Sequence, residues 1–133
     1  MKGFGQKFER RKEGFKKNIN PINEKIIQQA FQFHSQGNIK EAAKLYQYLI
    51  KQGLNNQNVF SNYGDILKNI GNFKDAELYT RKAIEINPKF AIAHLNLGSI
   101  LNNLGNLKDA ELYTRKAIEI NPNFAMAYLN LGS

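Results

Sequence analysis

Asparagine recurs in register along the chain. Asn62, Asn96 and Asn130 stand 34 residues apart, and Asn69 and Asn103 repeat the same interval. An asparagine amide offers one acceptor and two donors, so it can pair with both the N–H and the C=O of an extended backbone. Asp65, Lys68, Ser99 and Asn102 lie near these positions in sequence and are suited to polar contact. The histidines are His34 and His94, and there is no cysteine. Two imidazoles 60 residues apart, without a thiolate, supply too few ligands for a transition-metal site. No HExxH, P-loop, GxGxxG or GxSxG pattern occurs. Glu77, Arg81 and Glu85 repeat as Glu111, Arg115 and Glu119 and do not converge on one point. At i, i+4 spacing such pairs contribute about 0.2–0.5 kcal/mol each and read as a salt-bridged outer surface. The expectation is a non-enzyme with no catalytic residue, no metal and no cofactor.

Composition fits that expectation. The 133 residues are 42% hydrophobic and 23% charged, which is globular usage. No apolar run approaches 18 residues, so no membrane span is expected. The basic N-terminal stretch lacks the apolar core of a secretory signal, which makes cytoplasmic residence the default. The net charge of +8 is uneven, with +5 of it in residues 1–22. Phe4, Phe8 and Phe15 alternate with the basic residues of that arm. Such a mixture can lie on an anionic membrane or nucleic acid, although no specific nucleic-acid signature is present.

These side chains must be positioned by a repeated element. Residues 57–90 and 91–124 are identical at 23 of 34 positions, and Lys74–Pro88 returns unchanged as Lys108–Pro122. A weaker copy covers 23–56, and a fourth opens at 125 and runs to 133. Each period contains two patterns of 3.6-residue periodicity, in the third copy about Ala91 to Leu104 and Lys108 to Asn121. Gly105 is placed to end the first helix in a left-handed conformation. Asn106 is placed to cap the second, with Asp109 three residues on. Asn38 with Glu41 and Asn72 with Asp75 repeat the device, and Pro88 and Pro122 close each unit. Gly64, Gly98 and Gly132 form one column of small residues, continued by Ala30, and Ala42, Ala76 and Ala110 form a second. Small residues let two antiparallel helices approach to about 8–10 Å. The predicted fold is all-α, with helix pairs stacked so that each buries a face on the next.

The pattern Phe60, Tyr63-Gly64, Leu67, Ala76, Ala83, Pro88 resembles the tetratricopeptide repeat (TPR) family. It returns as His94, Leu97-Gly98, Leu101, Ala110, Ala117, Pro122 and opens again as Tyr128, Leu131-Gly132. His94 stands where an aromatic is usual, and Thr80 and Thr114 replace the second-helix aromatic that Tyr46 keeps. The resemblance implies a right-handed α-solenoid of three repeats and the first helix of a fourth, preceded by the basic arm. It also implies a concave groove lined by the first helix of each pair.

On helix 57–70 the groove-facing set is Asn58, Ser61, Asn62, Asp65, Lys68 and Asn69. On helix 91–104 it is Ile92, Leu95, Asn96, Ser99, Asn102 and Asn103, and His34 falls near the inner face of the first repeat. Neighbouring first helices lie about 10 Å apart, and three residues of extended chain span the same distance. One asparagine per repeat could therefore grip a peptide backbone at every third residue. The asparagine column is similar to that in the TPR half of O-linked N-acetylglucosamine transferases. The expected role is a scaffold for a protein or peptide ligand. Two alternatives stay open: a recruiting module of a larger or associated transferase, and an anionic-surface binder acting through the arm. Self-association through the open C-terminal end is a further expectation.

Overall fold

The computed structural model describes residues 20–124. The basic arm, the fourth sequence copy opening at 125 and the expectations attached to them lie outside the described residues. The described residues form six helices and no strand. They are α1 (Pro21–Ser35), α2 (Ile39–Lys51), α3 (Gln57–Asn69), α4 (Phe73–Ile86), α5 (Ala91–Asn103) and α6 (Leu107–Ile120). The chain divides into two compact units, Met1–Asn55 and Asn56–Ser133.

In the first unit α1 and α2 pack as a pair. Asn20 caps α1 by accepting from the Asn23 N–H at 2.8 Å, and Pro21 starts the helix where a missing N–H costs nothing. Ala30 and Ala42 are fully buried and let the pair close around Tyr46 and Leu49.

In the second unit α3 pairs with α4, and α5 with α6. Helix α4 also packs on α5, and α3 touches α5, so the two pairs stack in sequence order. The left-handed turns fall where the sequence places them, at Gly71 (φ 86°) and Gly105 (φ 83°). Asn87 and Asn121 end the second helices with extended backbones, as a following proline demands. The capping expectation holds at one position of three. Asn72 accepts from the Asp75 N–H at 3.4 Å, whereas Asn38 and Asn106 make no such bond. Asn106 instead donates its Nδ2 to the Asp109 carboxylate at 3.1 Å. Asn72 makes the same bond to Asp75 at 3.0 Å alongside its cap, so the carboxylate contact is common to both turns and the cap is not. The interhelical turn from the first unit supplies a cap the sequence reading overlooked: Asn56 accepts from Asn58 and Val59 at 2.9 and 3.0 Å.

The tightest packing is at the small residues. A Cβ on Gly98 would collide with the Thr114 hydroxyl and lie 3.0 Å from the Ala110 carbonyl oxygen. Gly64 meets Thr80 and the Ala76 carbonyl in the same way. This explains the missing second-helix aromatics: the ring position is filled by a threonine lying flat on a glycine, and the rings move one residue back. Tyr79 packs edge-on to Tyr63 at 4.9 Å and stacks on Phe60 at 6.1 Å. Burial, helped by Tyr63 and Asp75, pushes the Tyr79 phenol above its ordinary range.

The stacked pairs share further contacts. Ile84 of α4 packs against the Leu97, Leu101 and Ala110 cluster of the next pair. Arg81 bonds Glu77 at 2.8 Å within its helix and reaches the Tyr113 hydroxyl at 3.1 Å across the seam. Burial disfavours its charge, yet the bonds to Glu77 and Tyr113 outweigh that and hold the guanidinium above its ordinary range. Both expected Arg–Glu bridges form, Arg115–Glu111 on the exposed surface and Arg81–Glu77 with a further bond that links two repeats.

Two outcomes follow for stability. Gly98→Ala gains helix propensity but forces a methyl against backbone, and overpacking of this kind costs about 1–3 kcal/mol. Denaturant unfolding should show the loss, and Thr114→Ala in the same chain should recover part of it. A double-mutant cycle of Arg81→Met and Tyr113→Phe should give a coupling of about 0.5–1 kcal/mol, because the pair is partly exposed.

Candidate peptide-binding wall

Helices α3 and α5 lie side by side in the second unit, with α4 and α6 packed behind them. Each first helix buries most of its length. In α3 Val59, Phe60, Tyr63, Gly64, Ile66 and Leu67 face the interior. In α5 the interior set is Ala91, Ala93, His94, Leu97, Gly98, Ile100 and Leu101. What remains on the outer side is polar apart from Ile92. Asn62, Asp65 and Lys68 are half-buried on α3, with Asn69 exposed. Asn96 and Ser99 are half-buried on α5, with Asn102 and Asn103 exposed.

Two residues of the expected face are placed differently. Ser61 is only 2% exposed and Leu95 only 4%. Leu95 packs with Ala117, Ile118 and Phe124, because an apolar side chain at the edge of the helix face gains more by joining the core than by facing water. The wall is narrower than its sequence pattern and centred on Asn62, Asp65, Asn96 and Ser99. Ile92 stays at its rim.

Its polar groups are partly engaged with one another. Lys68 Nζ lies 3.2 Å from Asp65 Oδ1. Asn103 donates its Nδ2 to the Ser99 carbonyl at 2.9 Å, one turn back in its own helix. The i, i+4 spacing of a short polar side chain carries that signal, which the sequence reading did not use. Asn130, the third member of the column, lies outside the described residues.

His34 belongs to the first unit. It is half-buried, and its Nδ1 lies 3.2 Å from the Tyr46 hydroxyl with the rings edge to face at 5.9 Å. His94 is 4% exposed and stacks on Tyr113 at 6.0 Å. Its Nε2 meets the Pro88 carbonyl at 2.7 Å, and its Nδ1 is buried without a hydrogen-bond partner. That is the geometry of a packed ring. Among the described residues no group of three or more His, Asp or Glu is gathered to hold a metal. No described helix is long and apolar enough to cross a membrane.

Comparison with known proteins bears on this arrangement. Two family models described as tetratricopeptide repeat match residues 58–90 and 91–124. No curated protein matches the chain by sequence. Several solved structures share its fold. The Arabidopsis OM64 TPR domain aligns with a TM-score of 0.76 at 22% identity, covering 81% of this chain and 89% of that one. The first TPR of Spaghetti (RPAP3) bound to the HSP90 peptide SRMEEVD aligns at 0.75 and 20% identity, covering 82% and 86%. A mutant O-GlcNAc transferase from Thermobaculum terrenum aligns at 0.77 and 20% identity, covering 82% of this chain and 21% of that one. At these identities the likeness is one of fold.

If His94 is a packing ring, His94→Phe should keep stability within about 1 kcal/mol, since it removes an orphaned buried nitrogen along with one hydrogen bond. Thermal and denaturant unfolding would register a larger loss if the imidazole had a polar task there.

Proposed function

The chain belongs to the tetratricopeptide repeat family, and from that premise we propose that it is a non-catalytic protein-interaction scaffold. Its α3–α5 wall holds an extended peptide segment. The observation that carries this reading is the concentration of side-chain amides on the outer side of two helices whose other sides are buried. Asn62 and Asn96 occupy the same register on adjacent helices, and Asn69 with Asn102 and Asn103 continue the polar surface toward the helix ends.

An amide can donate to a backbone carbonyl and accept from a backbone N–H at once. Two such groups on neighbouring helices match the rise of an extended chain, so the register of the wall fits a peptide running across the helices. The first TPR of Spaghetti holds an HSP90 peptide, which supports peptide binding as a use of this fold. Asn130, at the same register in the sequence repeat, would be the next contact. A short array offers few such contacts against the cost of ordering a peptide, so micromolar affinity is expected.

The test is the double variant Asn62→Ala with Asn96→Ala. Each loses hydrogen bonds worth about 0.5–1.5 kcal/mol, so affinity for a partner captured from the native cell should fall about fivefold to a hundredfold by calorimetry. Unaltered circular dichroism would show the fold intact. Unchanged affinity in a folded variant would reject binding at this wall.

A further inference from the structure

Charge decides what kind of segment suits this wall. Helix α5, AIAHLNLGSILNN, contains no Lys, Arg, Asp or Glu, and its histidine is buried. Helix α3, QNVFSNYGDILKN, contains Asp65 and Lys68 and no other charged residue. Those two meet at 3.2 Å with side chains 32% and 18% exposed. The outer side of both helices therefore presents amides, one hydroxyl and one neutralised ion pair, with Ile92 as an apolar group at the rim.

An acidic segment laid here would meet a single ammonium that already has its carboxylate. Drawing Lys68 away would leave the Asp65 carboxylate half-buried beside the ligand's own carboxylates. A basic segment meets the converse difficulty at Lys68. In either case the ligand's charges lose water without gaining a counter-ion, which is unfavourable. The amides of Asn62, Asn96 and Asn102 serve backbone groups of any segment and need no charge. A chain terminus brings a carboxylate or an ammonium, so an interior stretch fits better than an end.

Resting on the peptide-wall reading above, we propose that α3 and α5 select an interior, extended segment without charged side chains, rich in Ser, Thr, Asn, Gln and small residues. Asp65 is the selectivity residue: by neutralising Lys68 it keeps acidic segments out.

The experiment uses the full chain immobilised and three pools of acetylated, amidated dodecapeptides. One pool is drawn from Gly, Ala, Ser, Thr, Asn, Gln and Val; the second adds several Glu to each member, and the third several Lys. The uncharged pool should be enriched, and the affinity of its best members should change less than about twofold between low and high salt, since no ion pair is screened. Asp65→Asn should raise capture of the Glu pool several-fold by releasing Lys68. A wild-type preference for either charged pool, or no gain of Glu peptides in Asp65→Asn, overturns the inference and leaves the wall reading standing. Capture of no pool, or capture that survives Asn62→Ala with Asn96→Ala, overturns the wall reading and this inference with it.

Discussion

The closeness of paired helices at Gly64 and Gly98 is the constraint from which the rest follows. A threonine lies directly on each glycine, with a backbone carbonyl behind it, leaving no volume for even a methyl group. Such an approach brings the buried stripes of Leu, Ile, Ala and Tyr into contact along whole helices. It also fixes the rotation of each helix about its axis. Once Gly98 must face Thr114, Asn96 and Ser99 are left on the outer side of α5. The polar wall is in this sense a by-product of the packing: its residues are those the seam does not use.

The two histidines show how environment sets the use of one side-chain type. His94 is wedged between Tyr113 and the Pro88 carbonyl, where its ring does the work of an aromatic. His34 keeps partial exposure and rests on the Tyr46 hydroxyl. Neither belongs to a group of three or more His, Asp or Glu gathered to hold a metal among the described residues.

Most of the fold was legible because its signals were repeated and local. A 34-residue period, helical spacing of Ala76, Ala83, Ala110 and Ala117, and glycine turns at Gly71 and Gly105 point to the same paired helices. What was not legible depended on more than local sequence. Asn72 and Asn106 both donate to the acid three residues on, yet only Asn72 also accepts the capping bond, a difference their shared sequence does not carry. Arg81 and Arg115 have identical local sequences, yet Arg81 crosses a seam to Tyr113, a contact 32 residues distant. For the wall, the face of α3 and α5 could be drawn from spacing alone. The depth of Ser61 and Leu95 could not, because it depends on what the adjacent helix brings.

The joint between Arg81 and Tyr113 bears on how such a protein grows. Arg81 lies in the fifteen-residue stretch Lys74–Pro88, and Tyr113 in its unchanged copy Lys108–Pro122. Each stretch thus contains both kinds of group that meet in this contact, Tyr79 with Arg81 and Tyr113 with Arg115. A tandem duplication of such a unit inherits both halves of the fastening, so a gene can lengthen by copying itself without inventing a new interface at the join.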